Sequence, residues 1–127
     1  MTVRLLVVED TEHVRKMLLD ILELHGFEIA GDADSGARAL EQLGSADPDV
    51  VVLDYMMPEM DGLEVARRIR KERPDQHVIL YSAYLDEELE HGAQEAGIAV
   101  CVPKMAGVEE LAREITAVAM DLGDGRR

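Results

Sequence analysis

Cysteine is nearly absent from this 127-residue chain, and long apolar segments are missing altogether. The single cysteine, Cys101, cannot form a disulfide within the chain, and no charged segment followed by an apolar one opens the sequence as a secretory signal would. The longest apolar runs, at residues 5–8 and 50–53, fall far short of the ~20 residues that cross a bilayer. We therefore expect a cytoplasmic protein that neither spans nor binds a membrane.

Basic residues are also scarce: 13 Lys and Arg stand against 27 Asp and Glu, which gives a net charge of −14. This surplus of negative charge repels the phosphates of DNA, so we expect no direct binding of nucleic acid by this chain. The length fits one domain, and the hydrophobic fraction of 47% is typical of globular proteins. A core can therefore form without disulfides or a structural metal.

Five short β-type runs begin near residues 3, 27, 50, 78 and 99, and a stretch with helical periodicity follows each of them. The first and third runs are almost continuously apolar, as in parallel strands covered on both faces, so they should be central. The second, residues 27–30, alternates polar and apolar side chains and should lie at an edge. Because βα crossovers are right-handed, we predict an α/β fold, a flavodoxin-like (βα)5 three-layer sandwich whose parallel strands follow the order 2-1-3-4-5.

The helical stretches indicate where the domain ends. In the first helix, expected at residues 11–25, one apolar stripe faces the sheet and consists of Val14, Met17, Leu18, Ile21 and Leu22. The last helix is expected at residues 108–122, and a glycine-containing segment follows it. We therefore predict a single domain over residues 1–122 and a flexible tail or linker stub at residues 123–127.

Charged and hydroxyl side chains stand where four of the predicted strands end. Glu9 and Asp10 follow the first strand, Asp54 the third, Ser82 the fourth and Lys104 the fifth. Ligands of open α/β sheets bind beyond the carboxyl ends of the strands, at the point where the strand order reverses. That point lies between the first and third strands, so we predict that these side chains surround one crevice.

Three carboxylates in one crevice repel one another and suit a divalent cation. Mg²⁺ binds through one or two carboxylates together with phosphate oxygens and water, so Glu9 and Asp10 would hold it while Asp54 shares it. Asp54 is best placed to accept a phosphoryl group as an acyl phosphate, with positive charge from Lys104 and a hydrogen bond from Ser82. Taken singly, each residue also fits a plainer role as a helix cap, a turn hydroxyl or a solvated charge. Only their joint placement favours a site.

Four motifs follow one another along the chain. They are Val-Val-Glu-Asp at 7–10, Val-Val-Leu-Asp-Tyr-Met-Met-Pro-Glu-Met-Asp-Gly at 51–62, Ser-Ala at 82–83 and the lysine at 104. In this order they resemble the receiver domain of bacterial two-component response regulators, over residues 3–120. A lysine without a following proline is similar to receivers of the LuxR/NarL type, in which a helix-turn-helix domain follows; this sequence contains none.

The resemblance implies a phosphorylation-activated signalling switch. Asp54 would take a phosphoryl group from a sensor histidine kinase or a phosphotransfer protein, and Lys104 and Ser82 would contact that group. Mg²⁺ would be bound by the carboxylates of Glu9, Asp10 and Asp54 and by the backbone carbonyl of Met56. An inward shift of Ser82 would then reshape the surface of the fourth helix, fifth strand and fifth helix, which would control an effector domain or a downstream protein, and through it transcription.

Two features near the fifth strand depart from the family pattern. Cys101 stands three residues before the lysine, where the family usually has Tyr or Phe. We interpret it as a small buried strand residue. The aromatic rotation that normally accompanies phosphorylation in the family therefore cannot occur in its usual form. The family usually has a proline after the lysine, joined by a cis bond, whereas here Pro103 precedes Lys104 and Met105 follows it. We therefore expect a trans bond after Lys104 and an altered loop.

Met56 and Tyr84 each lie two residues past a site residue, Asp54 and Ser82 respectively. In the family these two positions flank the path by which water attacks the acyl phosphate. We hypothesise that both side chains modulate the switch by shielding the acyl phosphate and lengthening its life.

Other functions stay open from the sequence. A Mg²⁺-dependent phosphatase or phosphotransferase that forms an aspartyl intermediate would use the same acids, but five βα units in 127 residues leave no room for a separate substrate pocket. A phosphorylation-independent interaction module would leave the acids unused. Cys101 and the position of Pro103, which depart from the family pattern, keep this alternative open. In the leading interpretation the chain is not an enzyme, beyond catalysing its own phosphorylation and dephosphorylation. A homodimer through the first and last helices is a further alternative, although the core explains their stripes equally well.

Overall fold

Five parallel strands alternate with five α-helices in a computed structural model that describes the backbone of residues 2–125 and the side chains of residues 2–120. The strands are β1 (Arg4–Val8), β2 (Glu28–Ala33), β3 (Val50–Leu53), β4 (His77–Ser82) and β5 (Val100–Pro103). The helices are α1 (Glu12–Leu24), α2 (Gly36–Ala46), α3 (Gly62–Glu72), α4 (Glu87–Glu95) and α5 (Val108–Gly125). A 3₁₀ turn at Lys104–Ala106 joins β5 to α5.

The strand order is β2-β1-β3-β4-β5, and every neighbouring pair is parallel. This confirms the predicted flavodoxin-like topology, in which the two apolar strands β1 and β3 lie side by side. Val8 pairs with Leu53, the last residue of β3, so β1 and β3 end level with each other, whereas β4 continues two residues past Leu80 to Ser82. The residues that follow these strands therefore open onto the same edge of the sheet.

Strand β2 lies at the sheet edge as expected, but it is longer than the predicted 27–30 segment. It continues through Gly31 and Asp32 to Ala33, which pairs with Val8. Glycine and aspartate are weak strand formers, so the local sequence hides this extension. Backbone pairing with β1, resumed after a register shift between Leu5 and Leu6, supplies the missing stabilisation.

The alternating residues of the central strands face two helical layers, as the two-residue period of a strand requires. One layer contains α2, α3 and α4 and packs on buried residues that include Leu6, Val8, Val51, Leu53 and Leu80. The other contains α1 and α5 and packs on Leu5, Val7, Val50, Val52 and Ile79. Both apolar faces of the sheet are thereby covered, as predicted for a three-layer sandwich.

The stripe of α1 is only partly buried. Leu18 and Leu22 are buried, but Met17 has 54% of its surface exposed, which contradicts its predicted place against the sheet. Met17 is apolar and follows the helical period, yet it points past the contact with the sheet, and a period alone does not locate the edge of that contact.

Helix α5 extends to Gly125, so it continues three residues beyond the predicted end at residue 122. Residues 123–125 contain no proline, and glycine in a helix lowers its stability without excluding it. The remaining part of the predicted tail, residues 126–127, lies outside the described residues. No helix within the described part of the chain is both long and apolar enough to cross a membrane.

Candidate phosphoryl-acceptor site

The carboxyl ends of β1 and β3 bring three acidic side chains together. Glu9 and Asp10 follow β1, Asp54 follows β3, and one carboxylate oxygen of each lies within 4.8 Å of the others. The approach is fixed by the backbone, because the N–H of Asp54 donates to the carbonyl of Val8 at 3.1 Å. The predicted convergence of these three residues is therefore observed.

Lys104, just after β5, reaches across the edge of the sheet into this cluster. Its Nζ donates a hydrogen bond to Oε1 of Glu9 at 2.7 Å and lies 3.6 Å from Oδ2 of Asp54. Residues 95 positions apart in the sequence thus form an ion pair inside the crevice. One ammonium faces three carboxylates, so the cluster keeps an excess of negative charge.

Burial and like charge set the protonation of Asp54, which has 8% of its surface exposed. Burial, followed by the repulsion of Glu9, raises the pKa of Asp54 from 3.8 to about 6, although Lys104 and a backbone hydrogen bond from Tyr55 oppose the rise. The Asp54 carboxylate is therefore the least favourable of the buried charges in the crevice.

Glu9 shows the opposite balance. Burial raises its pKa, but hydrogen bonds from Lys104 and from the backbone N–H of Thr11 outweigh burial and hold the pKa below its usual value. The pKa of Lys104 is raised, because the contacts with Glu9 and Asp54 outweigh the effect of burial on the ammonium. Glu9 and Lys104 therefore form a charged pair beside Asp54.

Ser82, the last residue of β4, is buried, and the hydrogen bonds of its hydroxyl are made within its own loop. The hydroxyl donates to the carbonyl of Tyr84 at 2.6 Å and accepts from the N–H of Tyr84 at 3.3 Å. Tyr84 in turn donates from its phenol to Oδ2 of Asp86, whose Oδ1 caps α4 by accepting from the N–H of Leu89. A continuous set of contacts thus runs from Ser82 to the first turn of α4.

The loop after β5 is a short 3₁₀ turn, and its difference from the usual loop of the family stays a prediction. Pro103 is the last residue of β5, and Lys104 begins a 3₁₀ turn that closes with a hydrogen bond from Gly107 to the carbonyl of Lys104. No cis peptide bond occurs among residues 2–125, so the bond after Lys104 is trans, as expected. Met105 is 90% exposed in this turn.

The side chains expected to modulate the site differ in their surroundings. Met56 and Tyr84 are 71% and 63% exposed, each in a loop at the same sheet edge as Asp54. Cys101 lies on β5 and packs against the layer of α2, α3 and α4, as predicted for a strand residue, but its burial is only partial. Strand β5 lies at an edge of the sheet and is covered on fewer sides than a central strand, which explains this exposure. Burial, followed by the charge of Glu90, raises the pKa of the Cys101 thiol.

Three residues near the site were not singled out from the sequence. Tyr81 is buried, and its ring centroid lies 5.9 Å from Nζ of Lys104, within the range of a cation–π interaction. Thr11 supplies the backbone N–H that binds Glu9. Arg15 donates to the backbone carbonyl of Glu9 at 2.8 Å. The sequence contained one indication for Arg15. It lies three residues before Leu18, so it is a charged residue on a helix face that is otherwise apolar.

The acidic cluster has the donor chemistry that Mg²⁺ requires. All of its candidate ligands are oxygens, they come within 4.8 Å of one another, and the single nearby ammonium leaves their charge uncompensated. The raised pKa of Asp54, caused first by burial and then by the charge of Glu9, shows that its ionised form lacks compensation. A divalent cation bound among Glu9, Asp10 and Asp54 would relieve this repulsion, so the residues present fit Mg²⁺.

The chain belongs to the receiver-domain family of response regulators. The model of the response regulator receiver domain matches residues 5–116, which include every predicted site residue. Receiver domains of this family serve as phosphorylation-dependent signalling switches and bind Mg²⁺ at an acidic pocket. The family and the fold expected from the sequence motifs are thereby confirmed, and a phosphorylation-dependent switch is consistent with both.

Individual relatives show which kinds of receiver this chain is similar to. It is 35% identical over 133 residues to a protein-glutamate methylesterase/protein-glutamine glutaminase of Alkalilimnicola ehrlichii, an alignment that covers 99% of this chain and 34% of that protein. The chain thus spans about a third of the length of this relative and matches the family only in the receiver domain.

Solved structures show the same fold. The receiver domain of the putative response regulator NarL from Mycobacterium tuberculosis has a TM-score of 0.87 and 32% identity, covering 94% of this chain and 97% of that one. A CheX-CheY-BeF3-Mg complex from Borrelia burgdorferi matches with a TM-score of 0.86 and 26% identity, over 91% of this chain and 88% of that one. Similarity to NarL agrees with the LuxR/NarL likeness inferred from the lysine without a following proline.

Proposed function

We propose that this chain switches a signalling output when Asp54 accepts a phosphoryl group from the phosphohistidine of a kinase or phosphotransfer protein. One observation carries the proposal: Nζ of Lys104 bridges Glu9 and Asp54 at 2.7 and 3.6 Å within a cluster of three carboxylates. A surface lysine or a helix cap would not require four charged side chains that follow three separate strands to meet.

Asp54 is the proposed acceptor because the other two acids are less suited. Both oxygens of Glu9 are engaged, one by Lys104 and one by the N–H of Thr11. Asp10 is more exposed and lies nearer the rim, where it can hold a cation together with water. Asp54 is buried behind them and faces Lys104 across 3.6 Å.

In the proposed transfer, an oxygen of the Asp54 carboxylate attacks phosphorus, a P–O bond forms, and the P–N bond to the donor imidazole breaks. The imidazole leaves with a proton from solvent. Lys104 then exchanges its contact with Asp54 for one with the phosphoryl oxygens. Bound Mg²⁺ would supply positive charge to these oxygens. The ion would be held by the carboxylates of Glu9, Asp10 and Asp54 and by the backbone carbonyl of Met56. The acyl phosphate ends when water attacks phosphorus and releases inorganic phosphate.

The proposed output follows from the contacts of Ser82. If its hydroxyl turns to a phosphoryl oxygen, it must release the carbonyl and N–H of Tyr84 that it now holds. Tyr84 is bonded to Asp86, the N-cap of α4, so a shift of this loop changes the start of α4. This path does not need an aromatic residue at Cys101, and it leads to the surface of α4, β5 and α5.

The proposed partners are a histidine kinase or phosphotransfer protein and an effector domain or downstream protein, in the cytoplasm, where ATP supplies the phosphoryl group. The methylesterase relative, in which a receiver forms a third of the protein, and the complex of CheY with CheX support an output that is carried by another domain or protein. As in the sequence-based interpretation, the chain would catalyse only its own phosphorylation and dephosphorylation, without direct nucleic acid binding. The domain boundary at residue 122 and the homodimer through α1 and α5 stay proposals.

The proposal is tested by incubating the protein with Mg²⁺ and a small acyl-phosphate donor, then following intact mass and released phosphate. We expect a phosphoryl adduct on the wild type and on Asp75→Asn, an exposed control before β4, but none on Asp54→Asn. Continuous turnover of the donor without an accumulating adduct would favour a phosphatase instead. Absence of an adduct and of turnover in the wild type would favour a module that does not use phosphate.

A further inference from the structure

Arg15 is a partly buried cation next to Glu9 and Asp10 of the candidate cation site. It lies in the first turns of α1, and only 14% of its side chain is exposed. Its guanidinium makes two contacts in different directions: Nη1 donates to the backbone carbonyl of Glu9 at 2.8 Å, and Nε donates to Oδ2 of Asp32 at 3.0 Å. One side chain therefore ties α1 to the end of β1 and to the end of β2.

With this contact, every polar group of Glu9 has a partner. Its N–H donates to the carbonyl of Ala33, its two carboxylate oxygens accept from Lys104 and from the N–H of Thr11, and its carbonyl accepts from Arg15. The carbonyl of Glu9 and the N–H of Asp10 belong to one planar peptide unit. Arg15 therefore fixes the plane of the peptide that joins the two residues suited to bind the cation.

Asp32 anchors Arg15 from the opposite side. It sits near the end of β2, and its own backbone carbonyl accepts a hydrogen bond of 2.7 Å from Nε2 of Gln42 in α2. The planar guanidinium fork can serve an ion pair and a carbonyl at once, which a lysine ammonium on a flexible stem does less well. Asp32 also offsets a positive charge that would otherwise oppose cation binding next to Glu9 and Asp10.

We propose that Arg15, held by Asp32, is a positioning residue that presets the Glu9–Asp10 peptide for a divalent cation. This inference rests on the proposed function, because it concerns the same cation site. Because this peptide is already fixed, binding of the cation would not carry the entropy cost of ordering the loop. Residues behind the ligands of metal sites commonly change affinity by about 10 to 100-fold when they are mutated.

The test is a calorimetric titration of the folded protein with Mg²⁺ alone, in the wild type, Arg15→Met, Asp32→Asn and the control Lys16→Met. Lys16 is the next residue of α1, is exposed, and pairs with Glu12 at the surface, so its removal changes the net charge equally. Arg15→Lys keeps the charge but loses the fork. The urea midpoint of each variant is measured in parallel.

The sign of the effect separates positioning from simple electrostatics. Removal of a cation near an acidic site should by itself strengthen Mg²⁺ binding slightly, as expected for Lys16→Met. We expect Arg15→Met to weaken binding about 10-fold or more, Asp32→Asn to weaken it several-fold, and Arg15→Lys to fall between wild type and Arg15→Met. A purely structural role would lower the urea midpoint and leave the Mg²⁺ affinity of the folded protein unchanged or higher.

Failure of the inference differs from failure of the proposed function. If the wild type binds Mg²⁺ and Arg15→Met binds it as tightly or more tightly, the positioning role is wrong and the proposed function stands. If the wild type itself does not bind Mg²⁺, both are wrong. Should Arg15→Met fail to fold, Asp32→Asn decides, since wild-type affinity in that variant contradicts the role of the pair.

Discussion

Replacement of Asp54 by asparagine should stabilise the protein when no divalent cation is present. The fold raises the pKa of Asp54 from 3.8 to about 6, so ionisation of this carboxyl is less favourable in the folded chain than in the unfolded one. The neutral carboxyl of Asp54 favours the folded protein more than the ionised carboxylate does. This stabilisation is complete below pH ~4 and is lost as the pH rises through about 6. Above pH ~7 the folded protein carries the whole penalty of the ionised form.

The size of the effect follows from the shift. About two pKa units at about 1.36 kcal/mol per unit correspond to about 3 kcal/mol at most. Asparagine cannot ionise, and the attraction of Lys104 at 3.6 Å is already included in this net shift, so we expect a gain of about 1–3 kcal/mol at pH 7.5. At pH 4 the difference should fall to about 0.5 kcal/mol, because Asp54 is then neutral in the folded protein and only about half ionised in the unfolded chain.

The assay is urea unfolding at pH 4 and pH 7.5 with chelator present, for wild type, Asp54→Asn and the exposed control Asp75→Asn. The control should stay within about 0.5 kcal/mol of wild type at both pH values. Added Mg²⁺ should stabilise the wild type by about 2.7 kcal/mol at a hundred times its dissociation constant, and Asp54→Asn by less. If Asp54→Asn is no more stable than wild type at pH 7.5, the electrostatic account of the crevice is refuted.

Three further outcomes follow from single contacts. Lys104→Met removes the only ammonium paired with Glu9 and Asp54 among the described residues, so phosphoryl transfer from a small donor should slow by about 100-fold or more in rapid-quench measurements; an unchanged rate would exclude Lys104 from the reaction. Met56→Asn exchanges an exposed apolar side chain for an amide that can orient water, so the adduct should decay about 10-fold faster when its half-life is followed by mass; an equal half-life would end the shielding hypothesis. Ser82→Ala frees Tyr84 without phosphate, so hydrogen exchange at the start of α4 should rise in the unmodified variant and should no longer respond to phosphorylation; a full wild-type response would rule out the path through Ser82.

The parts of the fold that the sequence predicted well are those where burial dominates. The β3 segment at residues 50–53 was located residue for residue, because four consecutive buried apolar residues leave little choice of boundary. The extension of β2 through Gly31 and Asp32 was missed, since it depends on backbone pairing with β1 and not on side chains. The exposure of Met17 was missed because a helical period does not show how wide the contact with the sheet is.

The candidate site could be predicted to a similar depth. The convergence of Glu9, Asp10, Asp54 and Lys104 follows from topology alone, because residues after parallel strands meet at one edge. The partner of the Ser82 hydroxyl could not be predicted, since it depends on the turn that the loop adopts after β4. Arg15 was missed for a related reason: its two contacts are with a backbone carbonyl and an edge strand whose length was underestimated.

The central claim concerns one of three carboxylates that crowd within 4.8 Å, so the most direct measurement identifies which of them carries the phosphoryl group. Protein phosphorylated in the presence of Mg²⁺ would be reduced chemically to convert the acyl phosphate into a stable mark, digested, and sequenced by mass spectrometry. The account predicts that the mark lies on Asp54 alone. A mark on Glu9 or Asp10, or an even distribution over the three acids, would contradict it.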